Sequence, residues 1–417
     1  MDASHLPGLT GKHVNVAMMT SGGLAPCLSS SIAHLMMSWI QALQEGKISG
    51  LTFRMYIGGY KGLLIGDSFV VPESEWDMVD QLNQLGGSPI GNSRVKLTNI
   101  ADCIKRGFVQ EGDTPLEVAS QTLLKDQIHV LHTIGGDDTN TQAAQLSAYL
   151  LEKHQGKVIV VGMPKTIDND VYPIKQTFGA HTAASQGATF FANVVNESTA
   201  NPRMLILHEV MGRDSGYLTA ATAQSYRETL ASQPMHGSSF PYCAQKARDI
   251  HAIWIPEVAL DLHAEGERLK KIMDTVGCVN VFFGEGTGVQ EIVAEMTARG
   301  EEVPRDAFGH VVLAKIKPAD YFSKHIAEMV GAEKTLVQRS GYFARSAAAD
   351  AFDQDLIQKC AYAGVASAIE GVSGCMGQDE ERGNEIRAIE FERIKGHKPF
   401  DVSQPWFQQM LKEIGQM

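Results

Sequence analysis

Residues 157–170 read KVIVVGMPKTIDND and join a buried-strand pattern to a dense polar segment. The run 157–163 (KVIVVGM) is almost wholly apolar after its first residue, as in strands of a parallel sheet that is covered on both faces. A lysine, a threonine and two aspartates then follow within six positions: Lys165, Thr166, Asp168 and Asp170. A cation can stabilise phosphoryl charge and a carboxylate can accept a hydroxyl proton, so the segment suits phosphoryl transfer. A polar surface loop is the competing interpretation.

The preceding apolar run, 127–133 (QIHVLHT), leads into a second polar turn, Gly135-Gly136-Asp137-Asp138-Thr139. Adjacent glycines allow the backbone to approach a ligand closely. A carboxylate beside a phosphate site is typical of Mg²⁺ binding. Helix capping by Asp138 or Thr139 is the alternative, and it accounts for one acidic residue better than for two.

The first predicted strand, 13–20 (HVNVAMMT), is followed by Gly22 and Gly23 and then by a predicted helix over 29–44. Backbone N–H groups at such a strand-to-helix turn can bind an anion, and the helix N-terminus adds positive potential. A tight turn that needs positive φ is the alternative interpretation.

The same alternation continues along the chain, with further predicted strands over 203–208, 249–255 and 277–283. Repeated strand–turn–helix units predict an α/β fold with doubly wound, Rossmann-like parallel sheets. Ligands on such sheets bind at the carboxyl ends of strands. A chain of 417 residues predicts two lobes rather than one core.

Three polar stretches are interpreted as peripheral. Residues 224–242 and 374–384 (GCMGQDEERGN) are predicted to be loops. The basic tail 394–400 (IKGHKPF) is predicted to be a solvated turn in preference to a part of the active site.

Composition excludes several classes of function. Lys and Arg number 36 against 48 Asp and Glu, and the net charge of −12 argues against a general nucleic-acid binder. No apolar run is long enough for a membrane span, and residues 1–13 do not resemble a secretory signal. The six cysteines lack CxxC spacing, which favours reduced thiols and a cytoplasmic location.

Three later turns carry candidate anion-binding groups: Met211-Gly212-Arg213, Gly284-Glu285-Gly286 and Tyr342-Phe343-Ala344-Arg345. Arginine suits bidentate phosphate recognition. Each turn alone is a weak signal, because most arginines are solvated.

Taken in order, the motifs TSGGLAP, LGGSPIGNSR, GGDDTNT, PKTIDND, MGR, GEG and YFARS resemble the phosphofructokinase family over residues 14–346. The resemblance implies two lobes with the active site in the cleft between them, and phosphoryl transfer to the 1-hydroxyl of fructose 6-phosphate. It assigns residues 1–179 and about 344–395 to a phosphoryl-donor lobe. Residues 180–343 and the C-terminal tail form the sugar-phosphate lobe.

Two positions bear on the phosphoryl donor. ATP-using members of the family typically carry Gly where this chain has Asp138 and Lys165. The Asp–Lys combination resembles the pyrophosphate-dependent branch. A carboxylate at position 138 would place bulk and negative charge where the α-phosphate of a nucleotide would lie, which excludes ATP by repulsion.

The resemblance also implies residue roles. Asp168 would be the proton acceptor, Lys165 would stabilise the transition state, and Asp137 would hold Mg²⁺. Gly22 and Arg94 would bind pyrophosphate. The residues that would contact fructose 6-phosphate are Thr166, Ile167, Asp168, Met211, Gly212, Arg213, Glu285, Tyr342, Phe343, Ala344 and Arg345. Relatives assemble as dimers and tetramers, so a homodimer is expected and a homotetramer is the alternative.

Several alternatives stay open at this point. An ATP-dependent phosphofructokinase is the nearest rival, and a catalytically silent sugar-phosphate sensor is the rival from another class. Two arginines that the family places near the sugar phosphate have no direct counterpart. Arg203 lies one position from the first, and Lys334 and Arg339 lie near the second.

Overall fold

The computed structural model describes residues 6–233, 239–305 and 311–417. Their strands are β1 (His13–Thr20), β2 (Gly50–Tyr56), β3 (Ser68–Val70), β4 (Val130–Gly135), β5 (Ile159–Pro164), β6 (Met204–Val210), β7 (Ala252–Trp254), β8 (Cys278–Gly284), β9 (Lys334–Arg339), β10 (Gly374–Asp379) and β11 (Glu385–Ile389).

The helices of the same residues are α1 (Leu28–Gln44), α2 (Tyr60–Ile65), α3 (Ile100–Lys105), α4 (Pro115–Lys125), α5 (Asp137–His154), α6 (Ala180–Val194), α7 (Tyr217–Ala231), α8 (Gln245–Arg248), α9 (Leu262–Val276), α10 (Val289–Ala298), α11 (Leu313–Ile316), α12 (Pro318–Val330), α13 (Gly341–Arg345), α14 (Ala351–Ile369) and α15 (Pro405–Glu413). Among the described residues, none of these helices is long and apolar enough to cross a membrane.

The chain divides into two compact units. Unit 1 comprises Met1–Thr182 and Arg345–Lys398, and unit 2 comprises Ala183–Ala344 and Pro399–Met417. Each unit contains its own sheet of mainly parallel strands, which confirms the predicted α/β class. The assignment of one unit to the donor and the other to the sugar phosphate stays a prediction.

The sheet of unit 1 has the order β11-β10-β5-β4-β1-β2-β3. Strands β1, β2, β4, β5 and β10 run parallel, and β3 and β11 are antiparallel edges. The register pairs Thr20 with Ile134 and Gly135 with Pro164. The three polar turns after β1, β4 and β5 therefore begin at one edge of one sheet.

Every residue of β4 and β5 is buried, because helices cover both faces of the sheet. On one side, α1 packs against α14, and the Trp39 indole donates a 2.9 Å hydrogen bond to Nε2 of His132 in β4. Burial lowers the pKa of His132 to about 3, so this imidazole is neutral and forms part of the packed core.

The sheet of unit 2 has the order β7-β8-β6-β9, with all pairs parallel. Its register pairs Val210 with Gly284 and Glu209 with Arg339. The turns after β6, β8 and β9 therefore also begin at one edge, and these turns carry the Met211, Glu285 and Tyr342 motifs.

The strand predictions hold with small shifts. Strand β1 spans the predicted 13–20, whereas β4 begins at Val130 rather than at residue 127. Gln127 lies between α4 and β4 and has a left-handed backbone (φ +54°). This conformation is incompatible with an extended strand, so β4 begins only after it. The predicted strand 249–255 is reduced to Ala252–Trp254.

The predicted loop at 224–242 is wrong over its first part. Helix α7 continues to Ala231, and residues 234–238 lie outside the described residues. Tyr226 and Leu230 are buried one turn apart, and the Tyr226 hydroxyl donates to the Arg248 carbonyl at 2.6 Å. The polar residues in between sit on the solvent side of an amphipathic helix.

The predicted exposed loop at 374–384 is also wrong. Residues Gly374–Asp379 form β10, a largely buried strand between β5 and β11. Asp379 is 0% exposed because Arg387 and Arg393 reach its Oδ2 at 3.1 and 2.8 Å. Paired arginines stabilise a buried carboxylate, so a polar sequence can form an inner strand.

Candidate active site

The glycine loop (residues 20–26) follows β1 and is held by a second loop, the arginine loop (residues 88–97). The Gly22 N–H donates to the Ser93 carbonyl at 2.9 Å, and the Asn92 side-chain amide donates to the Gly22 carbonyl at 3.2 Å. Gly22 has φ +86°, and a Cβ there would lie 3.3 Å from Nζ of Lys165. A Cβ on Gly23 would lie 3.6 Å from Nη2 of Arg94. The glycines thus leave room for an anion beside two cationic side chains.

Lys165 begins the lysine loop (residues 165–175) and is only 5% exposed. Its ammonium donates a 2.7 Å hydrogen bond to the Gly23 carbonyl. Burial lowers the pKa of Lys165, and the nearby carboxylates of Asp168 and Asp137 oppose that shift. A cation held in a dry site acts more strongly on a neighbouring charge than one in water.

Asp137 and Asp138 begin α5 after the glycine pair. The Asn140 side-chain amide donates 2.9 Å hydrogen bonds to the Gly135 and Gly136 carbonyls, which fixes this turn. Asp138 does not cap the helix with its side chain, because the N-cap residue is Gly136 and no side-chain cap bond forms. The Asp138 carboxylate instead lies 2.8 Å from the ammonium of Lys96 in the arginine loop.

The backbone of the lysine loop is fixed by a buried asparagine. Asn169 is 6% exposed with φ +50°, accepts from the Thr177 N–H at 2.8 Å and donates to the Lys175 carbonyl at 3.1 Å. On one side of it, the Asp168 N–H donates to the Thr166 hydroxyl at 3.1 Å. Asp168 is half-buried and acts electrostatically on Lys165. Ile167 is buried at 8% exposure.

Asp170 and Asp137 form a coupled pair of carboxylates. Burial raises the pKa of Asp170, and the charge of Asp137 raises it further. Two carboxylates that repel each other in this way favour a divalent cation between or beside them. No group of three or more His, Cys, Asp or Glu in the described ranges is arranged to hold a metal alone. Magnesium at phosphoryl-transfer sites commonly uses one or two carboxylates together with phosphate oxygens.

The C-terminal turn (residues 394–398) reaches these carboxylates through Gly396, whereas Lys395 and His397 are exposed, so its interpretation as a solvated turn is only partly right. A Cβ on Gly396 would lie 2.4 Å from Oδ2 of Asp137. The Lys395 N–H donates to the Tyr172 carbonyl at 3.0 Å, and the Lys398 N–H donates to the Asp170 carbonyl at 2.8 Å. A basic, glycine-containing tail can therefore pack against acidic residues of the lysine loop, which its sequence alone does not indicate.

In unit 2, Glu285 organises the turn after β6. Its Oε1 accepts the Gly212 and Arg213 N–H groups at 3.3 and 3.1 Å, and its own N–H donates to the Val210 carbonyl at 3.0 Å. Gly212 (φ +147°) and Arg213 (φ +49°) adopt backbone conformations that are unusual for residues with side chains. The Arg213 side chain is exposed at the end of this constrained turn.

Tyr342 and Phe343 follow β9 within the same unit. The Met211 side chain lies against the backbone of Gly341, just before them, since a Cβ on Gly341 would lie 2.6 Å from its sulfur. Tyr342 is 74% exposed and Phe343 is 51% exposed, whereas Ala344 is buried. The structure therefore brings Met211, Gly212, Arg213, Glu285, Tyr342 and Phe343 to the carboxyl ends of β6, β8 and β9.

Arg345 belongs to unit 1, unlike the other residues of its motif. Its Nη1 lies 4.0 Å from the position of a Cβ on Gly23, on the glycine loop that Arg94 also approaches. The glycine loop therefore has two guanidinium groups near Gly23.

Arg203 and Arg339, which lie near the two missing arginine positions in sequence, both have partners in unit 2. Arg203 lies at the amino end of β6, where its guanidinium donates to the Gly331 and Val330 carbonyls at 2.7 and 2.8 Å. Arg203 thereby caps the C-terminal end of α12. Arg339 lies at the carboxyl end of β9, where its Nε is 3.0 Å from Oε1 of Glu209. Burial raises the pKa of Glu209, and the ion pair with Arg339 opposes that shift.

Sequence reasoning missed Lys96, Gly396 and Gln142, whose side chain accepts from the Leu97 N–H and donates to the Asp138 carbonyl. Lys96 follows Arg94 by two positions, so a second cation in the same motif was the available signal. Gln142 lies in the second turn of α5, and Gly396 is separated from Asp137 in sequence by most of unit 2. Neither position has a local sequence signal.

Comparisons with known proteins identify the family and the fold. The family model described as Phosphofructokinase matches residues 15–368. A protein of Methylotuvimicrobium alcaliphilum named pyrophosphate–fructose 6-phosphate 1-phosphotransferase is 54% identical, with 97% of each chain covered. A Mastigamoeba balamuthi protein of the same name is 52% identical, with 96% of each chain covered.

Among solved structures, a pyrophosphate-dependent phosphofructokinase from Nitrosospira multiformis superposes with a TM-score of 0.69 at 17% identity. The superposition covers 96% of this chain and 92% of that one, and it supports the fold. The family match and the full-length relatives lead to one conclusion: this chain belongs to the phosphofructokinase family.

Proposed function

We propose that this chain transfers a phosphoryl group from pyrophosphate to the 1-hydroxyl of fructose 6-phosphate, reversibly, with Asp168 and Lys165 carrying the chemistry. The products are fructose 1,6-bisphosphate and phosphate. The names of the full-length relatives support pyrophosphate as donor. The observation that carries the residue assignment is the buried Lys165 ammonium, 3.3 Å from where a Cβ on Gly22 would lie.

The transfer is a direct, in-line displacement. The oxygen of the 1-hydroxyl attacks one phosphorus of pyrophosphate, and the bond from that phosphorus to the bridging oxygen breaks. Asp168 accepts the hydroxyl proton, and phosphate leaves with the bridging oxygen. The rate arises from positioning and from electrostatic stabilisation, because no covalent enzyme intermediate is needed.

Lys165 supplies the fixed positive charge. Its bond to the Gly23 carbonyl aims the ammonium into the glycine loop, so it does not need to reorganise when the phosphoryl group moves. Arg94 lies near Gly23 and is assigned to binding the oxygens of pyrophosphate. Arg345, which the resemblance assigns to fructose 6-phosphate, lies near the same glycine.

Asp137, with Asp170 beside it, would hold Mg²⁺. When bound, the ion neutralises phosphate charge and orients the donor. The fit rests on the donor set, since two half-buried carboxylates offer the oxygen ligands that Mg²⁺ prefers.

Residues of unit 2 are assigned to fructose 6-phosphate. Arg213 offers an exposed guanidinium for the 6-phosphate, and Tyr342 offers a hydroxyl. Glu285 holds the backbone of Gly212 and Arg213, so it acts on the sugar phosphate at least through their positions.

The donor assignment is tested by assaying the purified protein with fructose 6-phosphate and Mg²⁺, with pyrophosphate or ATP as donor. We expect turnover with pyrophosphate and not with ATP. Turnover with ATP alone would overturn the donor assignment and favour the ATP-dependent rival. No turnover with either donor would favour the silent sensor.

The role of Asp138 in excluding ATP is tested separately. Asp138→Gly removes both bulk and charge, and Asp138→Asn removes the charge with little change of volume. We expect ATP turnover to appear in Asp138→Gly and to be smaller in Asp138→Asn. Continued exclusion of ATP by both variants would contradict this account.

A further inference from the structure

Asp138 is paired with a cation from another loop. Its Oδ2 lies 2.8 Å from Nζ of Lys96, and the Asp138 side chain is 63% exposed. Lys96 is less exposed, at 31% for its side chain. The pair therefore lies at the protein surface beside the proposed donor site, and the carboxylate is its more exposed member.

A second contact fixes the same two segments through their backbones. Gln142 is 3% exposed, and its Oε1 accepts the Leu97 N–H at 2.5 Å. Its amide donates to the Asp138 carbonyl at 3.0 Å. The arginine loop and the first turn of α5 are thus joined by one buried bridge and one exposed ion pair.

A carboxylate that excludes ATP by its negative charge would also weaken the binding of pyrophosphate, the proposed donor. Pyrophosphate carries several negative charges, and an unpaired Asp138 would repel it as well as a nucleotide. A cation beside the carboxylate reduces this repulsion while the bulk of the side chain stays in place.

We propose that Lys96 is a specificity-determining residue that acts through Asp138. It neutralises the carboxylate toward pyrophosphate and holds it across the space that a nucleotide would need. The inference rests on the proposed function, since it concerns the donor of that reaction. Lys96 is a positioning residue in this scheme and not a ligand of the transferred phosphoryl group.

We expect the pair to contribute little to folding, because an exposed ion pair gains little over the hydration of its two charges in water. Lys96→Met keeps the length of the side chain and removes the charge, so we expect it to fold normally. Lys105→Met, at the exposed end of α3, is the matched control for loss of one surface charge.

The test is a double-mutant cycle on pyrophosphate affinity, measured by calorimetry at constant Mg²⁺ and without sugar phosphate. The four proteins are wild type, Lys96→Met, Asp138→Gly and the double variant. We expect Lys96→Met to weaken pyrophosphate binding about tenfold, because Asp138 is then an unpaired negative charge beside a multiply charged anion. The double variant lacks both charges, so it should bind pyrophosphate within about threefold of wild type.

The alternatives give different patterns. A double variant that binds pyrophosphate as weakly as Lys96→Met would mean that Asp138 does not repel the anion and that Lys96 binds it directly. No loss in Lys96→Met would mean that the ion pair is incidental, and each of these results overturns the proposal. Lys96→Arg should restore affinity, and KM for fructose 6-phosphate should not change. Failure of the proposed function is distinguishable, because wild-type protein would then neither bind nor use pyrophosphate.

Discussion

The two sheet edges that carry the candidate residues differ in how firmly their charged groups are held. At the edge of unit 1, Lys165 is 5% exposed and is hydrogen-bonded to the glycine loop. At the edge of unit 2, Tyr342 is 74% exposed and the Arg213 side chain is also exposed. One edge fixes the side chains, whereas the other fixes the backbone and leaves the side chains at the surface.

This difference matches the demands of the two tasks. Stabilising a transferring phosphoryl group needs charges that are already oriented, because reorientation during the reaction costs rate. Binding a phosphate ester needs donors that can close on it, and a constrained backbone at Gly212 and Arg213 is enough to aim them. Changes in unit 1 should therefore reduce kcat, and changes in unit 2 should raise KM.

The largest effect is expected at Asp168. Asp168→Asn keeps the volume and removes the proton acceptor, so kcat should fall by about 10²–10⁴-fold. Pyrophosphate affinity measured without turnover should stay within a few fold of wild type. A loss confined to KM would contradict the assignment of Asp168 as base.

Lys165 should follow, with Lys165→Met lowering kcat by about 10²–10³-fold, as for loss of one preorganised charge. Because burial lowers the pKa of Lys165, the ammonium loses its proton at lower pH than an exposed lysine. The positive charge is needed for transfer, so activity should decline as pH rises through this lowered pKa.

The pH profile of Lys165→Arg tests whether deprotonation of Lys165 causes this alkaline decline of activity. A guanidinium stays protonated throughout the alkaline range, so the decline should move to higher pH even if the rate is reduced. An unchanged alkaline decline would assign the titration to another group.

A substitution of Arg213 tests the assignment of the unit 2 sheet edge to fructose 6-phosphate. Arg213→Ala should raise KM for fructose 6-phosphate about 10–100-fold, because a charge-assisted hydrogen bond to phosphate is lost. KM for pyrophosphate should not change. Arg299→Ala, an exposed arginine paired with Glu295 in the same unit, is the control and should leave both constants unaltered. An equal rise in both KM values would remove the distinction between the edges.

The smallest effect is expected at Gly396. An added methyl group would lie 2.4 Å from Oδ2 of Asp137, so the carboxylate or the C-terminal turn must shift. Gly396→Ala should lower kcat by about three- to tenfold and raise the Mg²⁺ concentration for half-maximal rate, since a displacement of under an ångström already weakens positioned chemistry.

Thermal unfolding provides the control for this change. Gly396→Ala should lower Tm in wild type and should lower it less in an Asp137→Gly background, where the conflicting side chain is absent. Equal shifts in both backgrounds would mean that Gly396 does not act on Asp137.

Much of the site was predictable because its residues follow strands directly. The apolar runs before Gly22, Asp137, Lys165 and Met211 are long enough to identify as buried strands, and parallel strands place their carboxyl ends together. The same reasoning failed at 374–384, where Asp379 is polar yet buried. Its burial depends on Arg387 and Arg393, which a local pattern does not connect to it.

The sequence by itself determined the α/β class, the family and the order of the candidate motifs, because these depend on local periodicity and on residues that are adjacent in the chain. Only the tertiary structure decided that Lys96 pairs with Asp138, that Gly396 packs on Asp137 and that Arg345 lies near Gly23. Such contacts join residues distant in sequence. Their partners are selected by the packing of loops onto a common sheet edge, and charge and composition alone do not specify that packing.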